Sequence, residues 1–316
     1  MKTLKSYTNN TGKSVCFLIV LLHVITFGCE TTERIDDFPL RPSKLVANCF
    51  FNPDSTWKVQ VSKSLSVLDN APLKFIDNAT VKIFEENRLI EQISNPDEDG
   101  LYRSIDQKPV PGNEYRLEVT SPAFEKVCTA TGNVPLPVSL NNTRIVITDS
   151  SGYSDPYYNY HKASGFIKIS FQDPDEEINY YQLKMYYYDS AFVHLNGERK
   201  FVNLNQAIAN ISSNDPVLEK AHRFANHYLF DDRLFNGKKI TLDADFNIYS
   251  SGGAVEKYYV ELTSLTKEAF LYRRTINEYS LSRNDPFAEP VIIYSNIDNG
   301  YGIFAGYSRS VDTIGP

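Results

Sequence analysis

From Lys44 onward, apolar and polar residues alternate in short runs broken by turn-forming clusters. Lys44–Phe51 and Thr56–Ser62 are two such runs, separated by Asn52-Pro53-Asp54. Alternation sends successive side chains to opposite faces of an extended chain, so each run predicts a strand with one buried face. Ala79–Glu85, Arg88–Ile93, Gly100–Ile105, Glu114–Ser121 and Val127–Thr131 continue the pattern, with Pro111-Gly112-Asn113 marking a turn. About seven strands with turn signals every ~8–12 residues predict a β-sandwich over residues 44–134. Asn133-Val134-Pro135-Leu136-Pro137 closes it, because prolines cannot donate to a central ladder.

A second β-rich domain is expected over residues 135–316. Its strands are Arg144–Thr148, Gly165–Gln172, Tyr180–Tyr188, Lys239–Asp245, Lys257–Ser264, Val291–Asn296 and Gly302–Ser308. Two helices interrupt them. Asp215-Pro216 supplies a cap and a first-turn proline for a helix near 216–228. Val217, Leu218, Ala221, Phe224, Ala225 and Leu229 fall on one face of it. Thr266 caps a helix near 267–279. Asp298-Asn299-Gly300 reads as a hairpin between the last two strands, since Asn-Gly suits the positive φ of a type I′ turn.

The chain before Lys44 has a different character. Lys2, Lys5 and Lys13 precede Val15–Phe27, a nearly uncharged run too short to span a bilayer. It fits the apolar part of a secretory signal, so residues 1–28 are expected to be removed. Gly28–Cys29 follows and resembles a bacterial lipobox, with Thr26 standing where Leu is commonest. Cys29 would then carry the lipid and begin the mature protein, and several acyl chains on one cysteine hold a protein stably on a membrane. An uncleaved anchor or an ordinary signal with an incidental cysteine are the alternatives. Residues 29–43, acidic at first and with Pro39 and Pro42 near the end, read as a tether.

Composition narrows the function. Hydrophobic residues make up 42% and charged residues 22%, which suits packed cores and excludes disorder. The 21 tyrosines and 19 phenylalanines beside a single tryptophan favour strands. The net charge of −7 becomes three units more negative once the leader lysines leave, which argues against nucleic-acid binding. Cys49 and Cys128 are the cysteines of the folded part: they can form a disulfide in an exported protein or serve as buried thiols. Neither has a partner at zinc-ligand spacing.

Motifs for catalysis are absent: no Gly-x-Ser-x-Gly elbow, His-Glu-x-x-His, Cys-x-x-Cys or Walker loop occurs. No enzymatic activity and no cofactor are therefore expected. His222 and His227 are five apart and fall on different faces of a helix, so they make no ligand pair. Asn95, Asp97, Asp99, Gly100 and Asp106 match an EF-type calcium loop in spacing, but strands flank them and Arg103 occupies a ligand position. An acidic turn explains the same letters, and no metal is assigned. The Asp173, Asp175, Glu176, Glu177 cluster reads as a solvated turn rather than a catalytic carboxylate pair. Tyr153, Tyr157, Tyr158 and Tyr160 lie in a Gly/Ser/Asp-rich stretch. Tyrosines there suit ligand recognition or cover a sandwich edge.

Ala79-Thr80-Val81, Gly100-Leu101-Tyr102 and Gly112 to Leu117 resemble immunoglobulin-like and prealbumin-like modules. Asp285-Pro286-Phe287-Ala288-Glu289-Pro290, Ser295-Asn296-Ile297, Asn299-Gly300 and Gly302-Ile303-Phe304 resemble the closing signature of domain-of-unknown-function family 4249. That resemblance, together with the lipobox, implies a Bacteroidota-type outer-membrane lipoprotein facing the surface or the periplasm, and the acidic run after Cys29, interrupted by Arg34, resembles a signal for the cell surface. Its implied partner is a TonB-dependent outer-membrane receptor, for which it would be a non-enzymatic accessory subunit in nutrient or metal-chelate uptake, ligand unknown. A structural or adhesive envelope lipoprotein is the alternative. Partner contacts are expected from Asp285, Phe287, Glu289, Asn299 and Gly300. A purely structural role is the competing account, with Asp285 forming a turn and Phe287 plugging a core.

Overall fold

Alternation in the first run is realised as β1 (Leu45–Phe51), whose Leu45, Ala47, Cys49 and Phe51 are buried while the residues between them are half-buried. The computed structural model describes residues 42–66, 72–154, 159–175, 177–195, 198–224, 226–251, 255, 257–283, 285 and 287–315. After β1 come β2 (Lys58–Lys63), β3 (Thr80–Glu85), β4 (Arg88–Ile93), β5 (Leu101–Arg103), β6 (Glu114–Ser121) and β7 (Phe124–Asn133). The chain continues with β8 (Leu140–Ser154), β9 (Asn159–Gln172), β10 (Tyr180–Leu195), β11 (Glu198–Ile208), β12 (Asn210–Ser212) and the short α1 (Pro216–Glu219). It ends with β13 (His222–Phe224), β14 (His227–Asp231), β15 (Lys239–Ser250), β16 (Tyr258–Leu265), α2 (Lys267–Ser282) and β17 (Tyr301–Ile314).

A nine-stranded sheet in the order β13-β14-β10-β16-β17-β1-β2-β5, with β11 also on β10, runs through the protein. Two four-stranded sheets, β4-β3-β6-β7 and β12-β15-β9-β8, pack against it. The first closes a core in which Trp57, Val59, Val61, Tyr102 and Phe51 meet Val81, Ile83, Tyr115, Leu117 and Val119. Tyr181, Leu183, Met185, Tyr258, Val260 and Leu262 meet Ile167, Ile169, Phe171, Leu242 and Phe246 in the second. A third cluster joins Ile303 and Ala305 to Ala269 and Phe270 of α2. Phe304, between Ile303 and Ala305, points into the first core instead. Period-two geometry thus puts α2 on the face of the large sheet opposite that sandwich.

The segments 44–134 and 135–316 share the large sheet, because β17 pairs parallel with β1 and antiparallel with β16. Residues 43–316 form one compact unit. Gly302 is required at this seam: its φ is +115°, and a Cβ there would stand 2.1 Å from the Ala47 carbonyl oxygen.

Two expectations change. The helix expected near 216–228 stops at Glu219, although Asp215 caps it as anticipated, its carboxylate accepting from the Val217 N–H at 2.9 Å. The rest becomes the β13–β14 hairpin, with β14 paired to β10. Helical periodicity is a weak preference, and burying Tyr228, Leu229 and Phe230 on both faces of a sheet outweighs it. The helix near 267–279 forms and extends to Ser282.

Val291–Asn296 is not a strand, so the Asn299-Gly300 turn joins no hairpin. Asn299 has φ +60° but Gly300 does not have positive φ, and a type I′ turn needs both. Strand β17 takes β1 as its neighbour instead. On its other side at Phe304 the Asn296 side-chain amide stands in for a neighbouring strand, donating to the Phe304 carbonyl at 2.8 Å and accepting the Phe304 N–H at 2.9 Å.

Candidate functional site

The tyrosine-rich stretch lies on the solvent face of the β12-β15-β9-β8 sheet. Ala163, Ile167, Ile169 and Phe171 of β9 turn into the core, so Tyr160, Lys162 and Ser164 face outward. Antiparallel register then sets their neighbours. Tyr153 of β8 stands opposite Tyr160; Ser151 and Tyr249 flank Lys162; Asp149 and Asn247 flank Ser164. Asn210 of β12 extends the last row beside Asn247. The Tyr153 and Tyr160 ring centroids are 6.3 Å apart, those of Tyr160 and Tyr249 6.2 Å apart with planes 9° from parallel. The Lys162 ammonium lies 5.7 Å and 5.9 Å from the centroids of Tyr160 and Tyr249. The Tyr187 hydroxyl donates to the Tyr249 carbonyl at 2.5 Å, which fixes the backbone beneath that ring. A cleft of about 490 Å³ opens here, lined by Asp149, Lys162, Ser164, Asn210, Asn247 and Tyr249 among others.

Of the tyrosines singled out by sequence, Tyr153 and Tyr160 are thus brought together, while Tyr157 and Tyr158 lie outside the described residues. Tyr249 and Asn210 carry no motif in the sequence, and Asn247 figures there only in a calcium-like spacing with Asp243 and Asp245 that lacks its glycine and its last ligand. Outward positions on β15 show as the polar half of the alternation in Lys239–Ser250, but only register puts Tyr249 beside Tyr160.

The end of α2 and the segment after it form a second locus. Phe287 is 94% exposed, Ile292 88% and Leu281 73%. Phe287 therefore plugs no core, which corrects that expectation. The turn does form locally: the Asp285 carboxylate accepts the Phe287 N–H at 2.9 Å, and Ala288 N–H donates to the Asp285 carbonyl at 3.1 Å. Glu289 is also exposed. Asn299 and Gly300 are placed differently. The Asn299 amide donates to the Val127 carbonyl at 3.1 Å, and Asp298 exchanges backbone hydrogen bonds with Thr129. Gly300 is buried, and a Cβ there would meet the Cys128 sulfur and the Leu45 carbonyl oxygen, each at 2.7 Å. This turn fastens the start of β17 to β7, so an exposed contact surface can run through Asp285, Phe287 and Glu289 but not through Gly300.

The remaining candidates resolve as structural groups. Cys49 and Cys128 are separate buried thiols, not a disulfide; they pack as small hydrophobes in the first core. Burial pushes the Cys49 thiol up to about 12 and raises that of Cys128. In the calcium-like loop, Asp97 accepts the N–H groups of Asp99 and Leu101 at 3.0 Å and 2.9 Å and pairs with Arg103. Asn95, Asp99 and Asp106 add no ligand set, and no group of three His, Cys, Asp or Glu is placed to hold a metal among the described residues. Asp173 is buried, accepting from the Tyr181 hydroxyl at 2.5 Å and the Gly237 N–H at 2.8 Å. Desolvation raises its pKa.

One charged group escaped the sequence reading. Glu261 is 2% exposed and pairs with Lys184 at 2.9 Å; Arg309 approaches its other oxygen at 3.9 Å and binds Asp54 at 2.6 Å. These residues are distant in sequence and no local spacing signals them. Cys29 lies outside the described residues.

Fold and sites together define a mainly β protein built on several sheets, with exposed aromatic and apolar surfaces. The chain belongs to the family described as domain of unknown function DUF4249, whose model matches residues 31–313. No curated protein matches it. Among solved structures, the collagen adhesin of S. aureus shares 6% identity, over 89% of this chain and 97% of that one, with a TM-score of 0.17. At that score the likeness transfers neither topology nor activity. No helix among the described residues is long and apolar enough to cross a membrane.

Proposed function

We propose that the protein is a non-enzymatic lipoprotein, anchored through Cys29 to the outer membrane with its folded part at the cell surface, and that it serves a TonB-dependent transporter of a nutrient or metal chelate as an accessory subunit. The observation that carries the reading is the exposed apolar surface at the end of α2 and just beyond it, with Leu281, Phe287 and Ile292 all more than two-thirds exposed. Large exposed apolar side chains, Phe287 among them on a locally bonded turn, cost solvation in the monomer, and that cost is recovered when a partner covers them. The lipobox at Gly28–Cys29 and the absence of catalytic motifs in the sequence support the rest.

The test is isolation of the lipidated protein from outer membranes, with mass-spectrometric identification of co-purifying barrel proteins. A TonB-dependent receptor should accompany the wild type and be lost from Phe287→Asp, whose folding should match wild type by circular dichroism. If no such receptor accompanies the wild type, the transport reading falls and an envelope structural or adhesive protein takes its place. Retention of the receptor by Phe287→Asp would instead move the contact away from this segment.

A further inference from the structure

We infer that the solvent face of the β12-β15-β9-β8 sheet is a binding platform for a neutral carbohydrate chain. Two parallel features on that face carry it. One is aromatic: Tyr153 and Tyr160 stand side by side, and Tyr249 continues them diagonally, with centroid steps of 6.3 Å and 6.2 Å. The other is polar: Asp149, Ser164, Asn247 and Asn210 form one row across all four strands. Neighbouring strands lie ~4.8 Å apart, so the row spans about 14 Å.

Sugar rings have two kinds of surface, and each feature meets one. The C–H faces of a pyranose are flat and apolar and stack on aromatic rings, whose negative π faces attract polarised C–H groups. The ring edges carry hydroxyls that both donate and accept. Asn amides, a Ser hydroxyl and an Asp carboxylate offer matching acceptors and donors. The cleft of about 490 Å³ lies within the range of small-ligand sites; the polar row and Tyr249 line it, and Tyr160 stacks on Tyr249 beside it. Lys162 and Asp149 line it together, so its own charges offset, which favours a neutral chain over a uronate.

Peptide recognition fits less well. A peptide strand adds to an unpaired sheet edge, whereas Tyr160, Lys162 and Ser164 lie on β9, paired on both sides by β8 and β15. The face is rigid where it matters: Tyr249 is held through its carbonyl by Tyr187, so its ring can be removed without releasing the strand. The inference stands on the chemistry of this face alone, and it fails or survives separately from the transport reading.

The experiment uses the soluble mature chain and titration calorimetry with maltohexaose, cellohexaose, xylohexaose and mannohexaose, plus polygalacturonate and a casein tryptic digest as competitors. At least one neutral hexasaccharide should bind. Tyr249→Ala and Tyr160→Ala should each weaken that binding by about tenfold or more, while Tyr249→Phe keeps it within about twofold because the ring is retained. Asn247→Ala should weaken it by about threefold to tenfold through lost hydrogen bonds. Thermal unfolding of each variant checks that the sheet is intact. Absence of binding to all four neutral hexasaccharides overturns the inference, as does tighter binding of polygalacturonate or of peptides. Wild-type affinity in folded Tyr249→Ala overturns it too.

Discussion

Gly306 sits in β17 where the strand passes from β1 to β16, and replacing it with Ala tests whether this strand couples the two sandwiches. A Cβ at Gly306 would lie 2.0 Å from the Asn133 carbonyl oxygen and 2.9 Å from the Phe51 ring, where ordinary contact begins at 3.4 Å. The obstacle is backbone, so no rotamer change relieves it; the end of β7 must retreat by well over 1 Å. That end is held, because Val134 is fully buried and bonded through its N–H to Asn113 and through its carbonyl to Gly112, at 3.2 Å and 2.8 Å. Overpacking in a core costs about 1–3 kcal/mol, and a clash with fixed backbone belongs at the upper end, so we expect about 3 kcal/mol. For a unit of this size that corresponds to a fall in Tm of roughly 6–12 °C.

Urea unfolding provides the assay, followed by two signals. Trp57, the single tryptophan, is fully buried against Phe51 and Tyr115 and reports the first sandwich. Far-ultraviolet circular dichroism reports all the strands. Because β17 belongs to both halves, the two signals should coincide in the wild type and move together in Gly306→Ala. The reasoning is refuted if the substitution changes stability by less than about 0.5 kcal/mol. It is equally refuted if the Trp57 midpoint falls while the dichroism midpoint stays in place.

Three further outcomes are expected. Cys29→Ala should leave the protein unlipidated and in the soluble periplasmic fraction, and partitioning with outer membranes at the wild-type level would overturn the anchor. In a form beginning after Cys29, native protein at pH 8 should resist iodoacetamide and the unfolded protein should take up two labels, since both thiols are buried and Cys49 is pushed up to about 12; an intact mass two hydrogens short would show a disulfide instead. Burial, with Arg273 and Lys184 nearby, lowers His227 to about 4 against ~6.5 in the unfolded chain, so the unfolded state binds the extra proton between those values. The contribution is complete above pH 6.5 and is lost as pH falls toward 4; discounted for solvent screening of a half-buried ring it amounts to about 1–2 kcal/mol. Urea midpoints at pH 7 and pH 5 should converge in His227→Gln relative to wild type, and an unchanged pH dependence would assign the acid sensitivity to other groups.

Local chemistry determined much of this molecule. Arg88–Ile93 and Glu114–Ser121 are strands at the bounds that alternation and turn residues mark, and Thr266 starts α2 where a cap is expected. Tyr153 and Tyr160 were legible as a local tyrosine cluster, and the structure sets them side by side on one sheet face. What depends on distant partners was not legible. Residues 220–228 carry a helical stripe, yet pairing with β10 draws β14 into a sheet. Gly302–Ser308 reads as half of a hairpin, yet β17 takes β1 as its parallel neighbour and so ties the end of the chain to its beginning. Tyr249 joins Tyr160 only through the register of β15 on β9, and Phe287 stands exposed while the third core is built from Phe270, Leu265 and Ile303. The reason is general: a strand's period and its turns are encoded in adjacent residues, whereas its neighbour, its register and its exposure are set by whichever distant surface buries most apolar area while satisfying the backbone.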